Sequence, residues 1–125
     1  MRFLSAEFLS SWAEVDRPKI EDAAGIICIK IDGCPDGKLV VSVVIIDGQV
    51  VSAELGSVRG RDLELKMTYE LAGSLYRGEV DPAVEYTKGE IKVDGEMALW
   101  LKLLPVWRDR FVSQDFMLVP GEIIF

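Results

Sequence analysis

The sequence predicts an α+β domain, and three patterns carry that prediction. Period-2 apolar alternation marks strands at 62–68 and 90–94, and apolar runs bounded by turn residues mark three more, at 24–32, 38–47 and 49–55. Helical spacing marks stripes at 3–15, 69–77 and 96–104, and Asp81-Pro82 restarts a helical turn because aspartate caps and proline suits the first helical position. Within 62–104 the period switches repeatedly, giving strand, helix, helical turn, strand and apolar helix. The rest of the chain reads as support for that unit.

At the N-terminus Leu4, Phe8, Trp12 and Val15 fall at helical spacing, with Leu9 and Ala13 beside them and Glu7 and Glu14 facing water. Arg17-Pro18 ends this helix, since the residue before a proline is pushed out of the α region. The turn Asp32-Gly33-Cys34-Pro35-Asp36-Gly37 joins the first two strands. Asp47-Gly48 is a two-residue hairpin signal. It predicts Ile46 opposite Gln49, Val44 opposite Val51, Ser42 opposite Ala53 and Val40 opposite Leu55. The other face then carries Val41, Val43, Ile45 and Val50, so the hairpin is apolar on both sides. A sheet with helices on one side normally leaves the other side polar. That second face is therefore expected to be covered by a second subunit, as a homodimer, or by the C-terminal tail, although strand propensity alone also accounts for the valines.

Leu63, Leu65, Met67 and Tyr69 alternate with polar residues; Leu71, Ala72, Leu75 and Tyr76 then form one helical stripe, with Thr68 as N-cap and Gly78 as stop. Lys88-Gly89 ends the next helical turn, Ile91 and Val93 mark the last strand, and Asp94-Gly95 turns into the final helix. From Met97 to Leu104 that helix is apolar nearly all the way round, with Lys102 its one charge. A surface helix normally has a polar back, so this one must be covered on several sides, by protein or by something bound. Pro105 is expected to stop it. Residues 106–125, with Val106-Trp107 and Phe116-Met117-Leu118-Val119, are too apolar for a free tail and are expected to dock on the domain or a partner.

Composition excludes several classes of function. The 125 residues fit one domain, and no apolar run is long enough for a stable membrane insertion. A formal charge of −7 argues against nucleic acid and anionic membrane surfaces. The chain has no histidine, which removes the commonest general base and metal ligand, and no Gly-x-Ser-x-Gly elbow. Glu64, Glu85 and Glu90 read as solvent-facing charges. No catalytic residue, metal or cofactor is expected, and the chain is not expected to be an enzyme. Cys28 and Cys34 read as free thiols in a reducing compartment. Neither a signal peptide nor a peroxisomal address is recognisable, so a cytoplasmic location is expected. The loop Gly56–Arg61 lacks the Gly-Lys-Ser/Thr ending of a phosphate loop; its Arg59 and Arg61 are weak candidates to hold a carboxylate or phosphate headgroup, against plain solvation.

A family resemblance rests on an ordered series of motifs. Gly78-Glu79-Val80-Asp81-Pro82, then Lys88-Gly89-Glu90-Ile91-Lys92-Val93-Asp94-Gly95-Glu96-Met97-Ala98-Leu99, then Lys102-Leu103-Leu104, resembles the C-terminal half of the sterol carrier protein 2 family. With weaker support from the N-terminal half it spans residues 3 to 105, so 1–105 is read as the domain and 106–125 as an extension. The resemblance implies a five-stranded, mainly antiparallel sheet covered on one face by helices, with an apolar ligand tunnel between the layers. It implies a soluble lipid-binding or lipid-transfer protein for a sterol, fatty acid, fatty acyl-CoA or isoprenoid. Met67, Leu71, Leu75, Met97, Trp100, Leu101 and Leu104 are the candidate lining, with Phe8 and Trp12 of the first helix also candidates, against core packing alone. The alternative is a non-catalytic accessory or dimerising subunit whose cavity is collapsed or filled by its own tail.

Overall fold

The computed structural model describes residues 1–15, 17, 19–113 and 122–125, with backbone alone for 109–113. The elements run α1 (Ala6–Glu14), β1 (Gly25–Cys34), β2 (Gly37–Ile46), β3 (Gln49–Leu55), β4 (Leu63–Thr68), α2 (Tyr69–Tyr76), α3 (Pro82–Thr87), β5 (Lys92–Gly95) and α4 (Met97–Ser113). The five strands form one mixed sheet in the order β3-β2-β1-β4-β5, and β1 with β4 is its parallel pair. The fold is thus α+β, with a mainly antiparallel sheet and four helices. Side chains at helix starts explain several boundaries: Ser5 accepts from the Phe8 amide, Thr68 from Leu71 and Asp81 from Ala83, each satisfying an otherwise orphaned donor.

The Asp47-Gly48 turn forms as expected, with both residues at positive φ, 52° and 78°. Gly48 also sits where no side chain fits, because a Cβ there would lie 2.3 Å from the Ile20 carbonyl oxygen. Its amide donates to Ala23 and its carbonyl accepts from Ile20, which pins the 19–24 segment against the hairpin. Ile46 faces Gln49 as predicted, but a bulge then shifts the ladder by one residue, so that Val44 faces Ser52 and Val43 faces Ala53. Val51 is the extra residue, unpaired and exposed.

The expected homodimer face is corrected. Val41, Val43 and Ile45 are 2%, 5% and 4% exposed within this one chain, because α1 packs on the hairpin from that side. This is the core face, continued by Ile27, Ile31, Leu63, Leu65 and Met67 on β1 and β4. The opposite face carries Val40 and Val44, both half-buried, and an exposed Ile46. On it the connection from edge strand β3 to β4 passes over β2 and β1. The Gly56 carbonyl accepts from Ser42, Asp62 pairs with Ile26, and Cys28 lies fully buried on the same face.

Three helix groups share the core face. α2 packs on β1 and β4, α4 packs on β4 and β5 with α3 against it, and α1 lies over β3. Phe3, Phe8 and Tyr76 meet at centroid distances of 5.0 to 5.4 Å and close the space between α1 and α2. The last four residues dock there too. Ile124 exchanges backbone hydrogen bonds with Met1 and Phe3, and the Phe125 ring lies 4.9 Å from Phe3. Docking of residues 122–125 is thus defined, whereas the Phe116–Val119 run, like Pro18, lies outside the described residues.

The predicted stop at Pro105 is also corrected: α4 continues through it to Ser113. Proline removes the bond to the carbonyl four residues back. Here Pro105 and Leu101 are both on the exposed side of the helix, where water can satisfy that carbonyl. Replacing Pro105 by alanine is expected to restore the helical bond and stabilise the fold by about 1–3 kcal/mol. Thermal unfolding checks this; an unchanged or lower midpoint would mean that the helix breaks at that residue.

Candidate functional site

Between α1, the C-terminal part of α4 and the middle of the sheet lies a cavity of about 420 Å³. Its floor is the core face of the sheet: Ile27 and Ile29 from β1, Val43 and Ile45 from β2, Val50 from β3 and Leu65 from β4. These positions share a face because strand side chains alternate, and the observed ladders set Ile27 beside Val43 and Ile29 beside Leu65. One wall is the end of α1, through Trp12, Ala13 and Val15. The other is α4, where Trp100, Leu103 and Trp107 recur at helical spacing on one stripe.

Two close backbone approaches place α4. A Cβ at Gly95 would lie 2.5 Å from the Asp62 carbonyl, and the Glu96 amide donates to that same oxygen at 2.8 Å. Further along, Arg108 contacts Asp81 at the start of α3, and Tyr86 meets Trp100 edge-on at 5.2 Å. Glu85, expected on the surface, is instead 7% exposed, because α3 packs against α4 with Glu85 turned inward and its carboxylate 3.4 Å from Lys88.

Polar lining comes from the end of α1 and the β2–β3 turn: Glu14, Arg17 and Gln49, with the Gly48 backbone. Glu14 and Gln49 are exposed and mark the side that meets solvent. The Arg17 guanidinium stacks over Trp12 at 4.1 Å and donates to the carbonyls of Val15 and Trp12. The site is therefore an apolar hollow with a charged rim. Among the described residues no group of three His, Cys, Asp or Glu could hold a metal, and no helix is long and apolar enough to cross a membrane. Cys28 and Cys34 are free thiols, the latter donating to the Ile31 carbonyl; burial, and next the Asp32 carboxylate, push the Cys34 thiol above its ordinary value.

Of the sequence candidates, the structure brings Trp12 and Trp100 together at the cavity. Phe8, Met67 and Leu75 are buried away from it, Phe8 in the aromatic cluster between α1 and α2. Leu71 and Leu104 are half-buried outside the lining, and Met97 and Leu101 are 40% and 60% exposed on the outer side of α4. Arg59 is exposed in its loop and Arg61 pairs with Glu64 at 3.5 Å, both remote from the lining. The hollow thus lies toward α1 and the hairpin rather than under α2. Val106 and Trp107 lie beyond Pro105, which in sequence reads as the end of the helix, and so carry no lining signal there. Val43, Ile45 and Val50 carry none because the hairpin is apolar on both faces and its sequence does not say which of them α1 covers.

No protein-family model matches the sequence, and none of the curated proteins compared with it does. Solved structures do match. The sterol carrier protein domain 2 of Helicoverpa armigera superposes with a TM-score of 0.63 at 23% identity, over 74% of this chain and 73% of that one. Palmitated sterol carrier protein 2-like 2 from Aedes aegypti gives 0.62 at 17% identity, over 77% and 83%. A crystal structure of sterol carrier protein 2 gives 0.66 at 12% identity, over 87% and 97%. The fold is that of sterol carrier protein 2 domains.

On the sheet's other face, Glu64 is held below the usual carboxylate range, first by its hydrogen bond from Lys30 and then by the nearby charges of Lys30, Arg61 and Lys66, against burial. Lys30 Nζ lies 2.8 Å from its carboxylate. A depressed acid contributes stability at neutral pH that is lost as pH falls through its folded value. Glu64→Gln is therefore expected to be less stable than the parent at neutral pH by up to about 1 kcal/mol. The gap should narrow as pH falls below the ordinary glutamate range; denaturant melts from neutral to acid pH check it, and a gap independent of pH would contradict the assignment.

Proposed function

We propose that this chain is a lipid carrier, holding one apolar ligand between the sheet, α1 and α4. The observation that carries the reading is the cavity: about 420 Å³, floored by Ile27, Val43, Ile45 and Leu65 and walled by tryptophans. A volume of that size is in the range of small-molecule sites. Water gains little there, since the floor offers it no hydrogen-bond partners. An apolar ligand fits both facts. Trp12, Ile27, Val43, Leu65, Trp100, Leu103 and Trp107 are the proposed contacts, and the rim of Glu14, Arg17 and Gln49 meets the polar end.

The ligand class follows from the same chemistry: a sterol, an isoprenoid, a fatty acid or its coenzyme A ester, of which only the apolar part enters. Support comes from the fold shared with sterol carrier protein 2 domains, among them the palmitated Aedes protein. Without histidine the sequence offers no Ser–His or Cys–His pair for turnover, and the reading is of binding without catalysis.

Native mass spectrometry of the purified chain, followed by lipid extraction, is expected to find one lipid per chain. The delipidated protein should bind a fluorescent fatty acid saturably at micromolar concentration. Recovery of no lipid together with the absence of saturable binding would overturn the proposal.

A further inference from the structure

The chain contains three tryptophans, and all three line the same cavity. Trp100 and Trp107 project from one stripe of α4 with ring centroids 6.4 Å apart and planes at 88°, an edge-on contact in which the buried Trp100 backs Trp107. Tyr86 stands edge-on against Trp100 at 5.2 Å and braces it. Trp12 belongs to α1, with the Arg17 guanidinium stacked over its ring. A straight saturated chain needs nothing of this kind, since Ile, Leu and Val supply the apolar area it buries. Indoles add an electron-rich face and a positive edge, which reward another π system through offset stacking and edge-to-face contact beyond the area buried. A flat ring entering the cavity can lie against the half-buried indole of Trp107, which Trp100 backs edge-on from the core.

We propose that the ligand carries a planar conjugated ring, aromatic or quinoid, seated against Trp107, with its aliphatic part lying over the floor of the sheet. This rests on the lipid-carrier reading and narrows it from apolar lipids at large to ring-bearing ones. Trp107 acts as the selecting wall. It is half-buried where Trp100 is 1% exposed, and so has surface left to give to a ligand.

A matched pair of ligands tests this on the full, delipidated chain: naphthyl-decanoic acid and decahydronaphthyl-decanoic acid, which share one carbon skeleton and differ in flatness and conjugation. Each competes with a fluorescent fatty acid, with palmitic acid as the plain-chain reference. The naphthyl acid is expected to bind about tenfold tighter than its saturated twin (~1.4 kcal/mol). In Trp107→Leu the ratio of the two affinities should shrink to about threefold or less, and palmitic acid, read in parallel, reports how much binding every ligand loses with that wall. Equal affinity for the pair, or a preference that survives both Trp107→Leu and Trp12→Leu, overturns the ring assignment and leaves the lipid-carrier reading standing. Failure of all three acids to displace the probe overturns both.

Discussion

An apolar sheet face wider than the helices available to cover it is the constraint on which this structure depends. α1 lies over β3, α2 over β1 and β4, and α4 over β4 and β5. The middle of β1 and β2 at the hairpin end is left between α1 and α4, with Ile27, Val43 and Ile45 directed into the gap. Large side chains hold the helices off: Trp12 on one, Trp100 and Trp107 on the other. At the opposite end of the same strands the gap is closed by Phe3, Phe8 and Tyr76. One layer is therefore solid under α2 and hollow beside α4.

Backbone contacts anchor the segments that carry the two walls. Gly48 locks the hairpin turn to the segment following α1, and Gly95 lets α4 start close against Asp62. Each contact leaves no space for a Cβ, so neither wall can slide inward without breaking main-chain hydrogen bonds. The terminal pairing of Met1 and Phe3 with Ile124 ties the far end of the chain to the α1 side. A hollow built this way does not need its contents to define its walls, which suits a site that fills and empties.

Local signals in the sequence read true where one short motif decides the backbone. Asp47-Gly48 made its turn, Thr68 and Asp81 capped their helices, and the switch of period at Tyr69 marked the strand-to-helix change. The five strands and four helices were legible for the same reason, and so was the resemblance to sterol carrier protein 2. The cavity's position was harder to read because it depends on two nonlocal facts. Apolar residues on both faces of β2 leave the alternation symmetric, so Val43 and Ser42 could exchange sides until α1 chose the face. The bulge at Val51 then moved the partner strand by one residue, which no turn signal announces. Pro105 is a third case: its cost to a helix is real, but an exposed site lets water absorb it, and Trp107 becomes a wall residue beyond the apparent end.

Hollow and solid interiors respond oppositely to added volume. Val43 sits on the floor at 5% exposure, and phenylalanine keeps its strand preference while adding a ring above it. If the space is open, Val43→Phe fills it: the thermal midpoint should stay level or rise, and fatty acid binding should fall by at least about tenfold. A packed core would answer with a loss of about 1–3 kcal/mol from overpacking. That loss, with ligand binding unchanged, would contradict the account.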